Sequence, residues 1–193
     1  MFDRFWLAFL LLFVAFDVVG VVPIYWTLAQ GVPASQRRRA VHYAVLVGFL
    51  VALIFLWLSE QVFHIMGIEM PDVMIAGGVI LFVLALRDLL SQEKTVAASL
   101  EAIGVVPLGV PLLVGPAVLT TALLARQRYG LWPTVWGIGC NVLLSWLVLL
   151  VSDQLMERVG RDVARVVSKV FHLVLAAFAV MLVRQGISAL IHP

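Results

Sequence analysis

Charge is what this sequence has least of. Only 12% of its 193 residues are Asp, Glu, Lys or Arg, about half the roughly 25% usual in soluble globular domains. Hydrophobic types make up 63%, and mean hydropathy is +1.09. A water-soluble fold of this length cannot enclose so much apolar surface, so the composition implies a polytopic protein of the lipid bilayer. Cysteine is nearly absent: Cys140 stands alone, which excludes an intramolecular disulfide and a CxxC redox pair. His42, His64, His172 and His192 form no HxxxH or His/Cys/Asp cluster, so no metal centre is expected. His42 and His172 are expected near the membrane interfaces. There is no ATP-binding motif, so no cofactor is expected and active transport would have to draw on an ion gradient. The net charge of +2 requires no nucleic acid or other acidic partner, because basic loops alone produce such an excess in membrane proteins. "MFDRF" is a poor basic leader, the run after it is too long and no A-x-A follows, so a cleaved signal is not expected.

What the sequence does have is apolar runs of spanning length, about 17 to 25 residues. Six are read, at 5–29, 40–63, 73–90, 103–125, 131–152 and 167–190. No soluble domain or low-complexity linker separates them, so residues 1–193 are expected to form a single transmembrane domain. Nine basic residues (Arg37, Arg38, Arg39, Arg87, Lys94, Arg158, Arg161, Arg165 and Lys169) fall on one side of these spans. Four (Arg4, Arg126, Arg128 and Arg184) fall on the other. The richer side is expected to be cytoplasmic, which puts both termini outside.

At an offset of 93 residues the chain resembles itself. "SEQVFHIMGIE" at 59–69 meets "SDQLMERVGRD" at 152–162, and the same offset sets Pro23 on Pro116 and Thr27 on Thr120. A duplication with three spans per half inserts the second half upside down. The expected fold is therefore all-α, two inverted three-helix repeats at about 1–92 and 98–193. Secondary transporters built on that plan hold substrate near the midplane, where Gly/Pro-interrupted helices of the two halves meet.

Spans 1 and 4 carry those interruptions. In span 1 Asp17, Gly20 and Pro23 follow one another at three-residue steps; in span 4 "VVPLGVPLLVGPAVLTT" holds Pro107, Gly109, Pro111, Gly115 and Pro116. Such a cluster breaks a helix, and within a membrane the freed backbone is tolerated only beside protein or water. A wet, protein-lined cavity is expected there. Pro116 suits the first position of a second half-helix, whose N–H groups, with Thr120 and Thr121, would face an anion. Pro23 and Thr27 would form the matching site in span 1. Gly77-Gly78 is expected only to permit close helix packing.

Asp17 is the one Asp, Glu, Lys, Arg or His between Phe5 and Leu28. A carboxylate at the bilayer centre costs roughly 2.5 to 3.5 kcal/mol on insertion scales, and no Lys or Arg lies at comparable depth. Burial favours the neutral acid, so Asp17 is the candidate proton carrier, or the ligand of a monovalent cation or substrate ammonium. The alternative is a protonated Asp17 that only bonds a neighbouring helix, for instance through Asn141. Asn141 itself reads equally as site residue and as interhelical glue.

The segments "FDVVGVVPIYWTL", "MPDVMIAGGVILFVLALRDLL" and "VVPLGVPLLVGPAVLTT" resemble the three signature segments of the MarC/SnatA family, within the LysE-type transporter superfamily. The resemblance covers essentially the whole chain. It implies six spans in two inverted halves and, from some members, transport of small neutral amino acids such as glycine and alanine. The first signature of the family usually reads Asn/Asp-Pro, then Gly-Asn, then Pro. Here Asp17, Gly20 and Pro23 keep their places, while Val18 stands for the first proline and Val21 for the asparagine. The missing proline weakens the expectation of a break in span 1.

The leading expectation is a secondary transporter of a small neutral amino acid. The start of the half-helix at Gly115 and Pro116 would hold the α-carboxylate and Asp17 the ammonium or the coupling proton. Thr27, Thr120, Thr121 and Asn141 would supply neutral hydrogen bonds, and Gly20 a small lining. An intramembrane enzyme is not expected, since the sequence offers one deep Asp and no deep His for a nucleophile–base pair. The rival reading is a non-transporting membrane scaffold or partner subunit. A homo-oligomer is compatible with either.

Overall fold

The computed structural model describes residues 2–29, 31–90 and 113–191. Over these it is helical, with no strand among the described residues. The elements are α1 (Phe2–Phe16), α2 (Val18–Ala29), α3 (Ala34–Met66), α4 (Met70–Leu90), α5 (Pro116–Tyr129), α6 (Leu131–Leu150), α7 (Ser152–Val159) and α8 (Arg161–Ile191). Five segments are long and apolar enough to cross a membrane: Phe2–Trp26, Ala34–Ser59, Met70–Arg87, Leu131–Leu150 and Val166–Ile191. They coincide with five of the six expected spans. The sixth, 103–125, is described only from Leu113 onward. Pro107, Gly109 and Pro111 lie outside the described residues, as does the side chain of Thr27.

The outward faces are apolar. On α3 Leu46, Leu50, Ile54 and Trp57 are exposed, at steps of three and four residues that keep them on one side of the helix. Water would make such a stripe a liability, whereas hydrocarbon is its natural solvent. α5 is the opposite case. Ala117, Val118 and every residue from Thr120 to Ala125 are buried, because α1, α3, α4 and α6 all pack on it. A helix apolar and small all round belongs at the centre.

Small residues set the closest approaches. α4 runs along α8, where a Cβ on Gly78 would stand 2.8 Å from the Ala179 carbonyl and one on Gly186 2.8 Å from the Pro71 carbonyl. Gly77 faces the other way, onto Thr120 of α5. The packing role expected of Gly77-Gly78 is therefore what the structure gives them. Between α1 and α6, Gly137 lies under Leu12 and Phe9.

Members of the sequence repeat take equivalent local roles. Ser59 Oγ donates to the Leu56 carbonyl (3.5 Å) and Ser152 Oγ to the Leu149 carbonyl (2.8 Å). Gly67 (φ 68°) ends α3 and Gly160 (φ 79°) ends α7. Both have the positive φ that glycine tolerates at a helix end, Gly67 in the left-handed helical region (ψ 22°) and Gly160 with an extended ψ of 155°.

The polar contacts sort by end of the bundle. Arg37 at the start of α3 pairs with Asp153 of α7 at 2.7 Å, which joins two segments expected on the basic side. At the other end Arg126 donates to the Leu56 carbonyl and Arg128 to Gln185 Oε1. Because the Arg37 and Asp153 side chains are 24% and 45% exposed, their attraction is screened. Asp153→Asn should lower stability by less than about 1 kcal/mol, measured by thermal unfolding in detergent.

Candidate functional site

The first span breaks at one residue. Asp17 has φ 42°, the only non-glycine residue with positive φ among those described. Asp visits this region more readily than most residues because its short side chain bonds locally. It does so here: Asp17 Oδ1 accepts from the Gly20 N–H at 3.2 Å, satisfying one of the donors exposed at the start of α2 in the manner of an N-cap. The Asp17 carbonyl also accepts from Val21 N–H at 3.0 Å, so the helical ladder resumes at once. The break thus forms without the family's proline. Pro23, expected to start the second half-helix, instead lies inside α2. The carboxylate of Asp17 has already capped that helix six residues earlier, which leaves the proline to forgo one ladder bond within it.

The other oxygen of the same carboxylate meets α8. His172 Nε2 lies 3.1 Å from Asp17 Oδ2, with the two side chains 7% and 15% exposed. On its far side, His172 Nδ1 faces Ser168 Oγ at 3.5 Å, and Ser168 too is buried. The expectation that His172 is interfacial and that no histidine lies deep is therefore corrected: α2 packs against α8 and covers the imidazole. Gly20 makes the approach possible, since a Cβ there would stand 2.4 Å from Asp17 Oδ2 and 2.9 Å from His172 Nε2. A signal for this partnership exists in the sequence. His172 is the only ionisable residue between Lys169 and Arg184, and Ser168 precedes it by the four residues that share a helix face.

The start of α5 has the expected form. Gly115 (φ −84°, ψ −179°) is the N-cap of α5 and Pro116 its first residue. The proline sits where a missing N–H costs nothing. Thr120 Oγ1 donates back to the Pro116 carbonyl at 2.8 Å, so its hydroxyl is engaged within the helix. Thr121 is fully buried, and its Oγ1 finds no hydrogen-bond partner among the described residues. On α6, Asn141 Nδ2 donates to the Phe9 carbonyl of α1 (3.1 Å) and to the Gly137 carbonyl (2.8 Å). Its bridge to α1 runs to that backbone oxygen, and its Oδ1 finds no partner among the described residues.

Phe16, Leu113, Val114, Val142 and Ser145 line a common internal gap. The residue before Asp17 and those before Gly115 therefore share one neighbourhood, which sets the break in span 1 beside the segment that leads into α5. That gap has no room for a water-sized molecule. Asp17 and Gly20 gather around His172, whereas Thr120 is held against Gly77 of α4 and Asn141 against α1. No group of three or more His, Cys, Asp or Glu side chains is placed to hold a metal ion among the described residues.

Chemically, the break in span 1 offers a carboxylate and an imidazole in contact, able to exchange one proton, and α5 offers a helix start capped by Gly115. Relatives of similar length match nearly the whole chain. The chain is 28% identical over 186 residues to a UPF0056 membrane protein of Buchnera aphidicola subsp. Schizaphis graminum, covering 93% of this chain and 94% of that one. It is 27% identical over 188 residues to the UPF0056 inner membrane protein YhgN of Escherichia coli (strain K12), covering 93% and 94%. A UPF0056 membrane protein of Methanocaldococcus jannaschii is 26% identical over 193 residues, covering 94% of each chain. No solved structure gives a significant match. The family model for MarC family integral membrane proteins matches residues 2–191, and the chain belongs to that family.

Proposed function

We propose that this protein is a secondary carrier of small neutral amino acids, glycine or alanine in kind, driven by a proton or monovalent-cation gradient. The observation that carries the reading is the buried Asp17–His172 contact at a helix break inside an apolar span. Intramembrane ionisable residues are costly, and they mark ion and substrate pathways. The start of α5 at Gly115 and Pro116 supplies the positive end of a helix dipole for the substrate carboxylate. Thr121 Oγ1 and Asn141 Oδ1 supply polar atoms for its remaining groups. The equivalent roles of Ser59 and Ser152, and of Gly67 and Gly160, support two inverted three-helix halves with six spans. Their site then lies where the halves meet. Pro107, Pro111 and Thr27 stay assigned to that lining on sequence grounds.

In this reading the protein works in a bacterial or archaeal plasma membrane, with the Arg-rich end cytoplasmic and both termini outside. It performs no covalent chemistry. The test is uptake of labelled glycine and alanine into proteoliposomes under an imposed pH gradient, wild type beside Asp17→Asn. Gradient-driven uptake should appear in the wild type and fall to background in the variant. A correctly folded and inserted wild type that moves neither amino acid overturns the substrate assignment. Uptake indifferent to Asp17→Asn removes the carboxylate from the coupling step.

A further inference from the structure

The carboxylate at the first break is one end of a chain of three side chains. Asp17 Oδ2 contacts His172 Nε2 at 3.1 Å, and His172 Nδ1 faces Ser168 Oγ at 3.5 Å. Both residues of α8 are buried. The chain also has a direction across the membrane. The apolar segment of α8 begins at Val166. Ser168 lies two residues inside it, about 3 Å, and His172 six residues inside, about 9 Å, at the rise of a helix. Asp17 is the innermost member, at the junction of α1 and α2.

We propose that Asp17, His172 and Ser168 form a proton relay connecting the helix break to the Arg-rich end of the bundle. Asp17 and His172 form its proton-binding unit and Ser168 its port. The use made of that proton, coupling to a substrate, rests on the carrier reading above; the relay itself does not.

The transfer balances without any further reactant than a solvent proton. In the starting state the carboxylate is ionised, neutral His172 carries its proton on Nε2 and donates it to Asp17 Oδ2, and the Ser168 hydroxyl donates to Nδ1. A proton from water at the Arg-rich end joins Ser168 Oγ as the hydroxyl proton passes to Nδ1. The Nε2 proton crosses to Oδ2. Serine and imidazole end neutral, the imidazole in its other tautomer, and Asp17 is the neutral acid donating back to Nε2. The two ring nitrogens of histidine suit this hand-over because each can carry the proton in turn.

The same step reaches the backbone. Asp17 Oδ1 holds the Gly20 N–H, and a bond to an ionised acceptor is roughly twice as strong as one to a neutral acceptor. Neutralising Asp17 therefore weakens the cap on α2 at the one residue where span 1 is already out of helical geometry. Proton arrival and the start of α2 are linked through the two oxygens of a single carboxylate.

Other titratable groups on the elements around the unit are placed differently. Tyr25 of α2 is buried. Those of α7 (Asp153, Glu157, Arg158) and Lys169 of α8 are exposed or half-exposed. So are those near the ends of α1 (Asp3, Arg4), α4 (Asp72, Arg87) and α5 (Arg126, Arg128, Tyr129), as well as Arg184 of α8 and Cys140 of α6. Among the described residues, the deep contact between an acid and a base in this region is that of Asp17 with His172.

The test is infrared titration of the full chain in lipid nanodiscs, without substrate. The carboxylic-acid carbonyl band is assigned to Asp17 by its loss in Asp17→Asn. His172→Gln should change the pH range over which that band appears, because the carboxylate loses its partner at 3.1 Å. Ser168→Ala should keep the band and slow its rise after a pH jump on the order of a hundredfold, the lower end of what a positioned proton-transfer group contributes. Nitrogen-15 imidazole spectra provide a second readout that needs no His172 variant. His172 should change tautomer as the acid forms in the wild type and should not do so in Asp17→Asn. A band unmoved by His172→Gln, a rise unaffected by Ser168→Ala, or a fixed tautomer in the wild type would each overturn the relay. Absence of amino-acid uptake beside a normal titration would instead sink the carrier reading and leave the relay standing.

Discussion

Gly20→Ala should reduce gradient-driven uptake to the level of Asp17→Asn while leaving most of the thermal stability in place. The added Cβ would lie 2.4 Å from Asp17 Oδ2 and 2.9 Å from His172 Nε2, well inside contact distance for both partners. Alanine raises helix propensity by about 0.8 to 1 kcal/mol over glycine. Loss of a buried hydrogen-bonded contact costs roughly 1 to 3 kcal/mol. The gain cancels only part of that loss, so the unfolding temperature should fall modestly while uptake falls to background, and the functional loss reports the geometry of the pair rather than the fold. Uptake and thermal unfolding measured on the same preparation separate the two. A Gly20→Ala protein that transports normally would mean that Asp17 and His172 need not touch.

The largest stability effect is expected at Gly77. A Cβ there would stand 2.0 Å from Thr120 Cγ2 and 2.6 Å from both Thr120 Cβ and Oγ1. Thr120 cannot swing aside freely, because it is β-branched and its hydroxyl is bonded to the Pro116 carbonyl. α4 would have to withdraw from α5, the buried helix at the centre of the bundle. Overpacking of this kind costs about 1 to 3 kcal/mol, and the helix-propensity gain of alanine cancels only part of it. Gly77→Ala should lower the unfolding temperature measurably and Gly77→Val should fail to accumulate folded. Thr120→Gly should recover part of the Gly77→Ala loss by vacating the same space. Gly139→Ala is the control, since its Cβ would meet nothing within 4 Å; it should be neutral or slightly stabilising. Equal losses at Gly77 and Gly139 would show that close packing against α5 is not the cause.

Much of this site could be read along the chain, and the misreadings are instructive. Gly115 and Pro116 announce the start of α5 because the signal is local: a residue before the helix and a proline at its first turn. Span 1 was harder. Three polar or helix-breaking residues lie within seven positions, and the sequence favours the proline as the start of a half-helix. The break falls instead at Asp17, which can both adopt a positive φ and cap α2 with its own carboxylate. Pro23 then remains inside the helix. Asn141 shows the reverse ambiguity, since an amide deep in a span serves equally as ligand or as glue. Its bond to the Phe9 carbonyl shows that it does join α6 to α1.

By itself the sequence determined that the chain lives in a membrane, roughly where five of its spans lie, and where α5 starts. Each of these follows from properties that add up over neighbouring residues: hydropathy, proline and glycine placement, and a carboxylate that stands out in an apolar run. The tertiary structure alone decided that Asp17 has a partner and that the partner is His172. Those residues come from opposite ends of the chain. Whether they meet depends on how α2 and α8 are rotated about their axes, and on Gly20 being small enough to let a carboxylate and an imidazole close to 3.1 Å. Hydropathy is a sum over neighbours in sequence, but a contact between distant helices is set by the shapes of the surfaces they turn to each other.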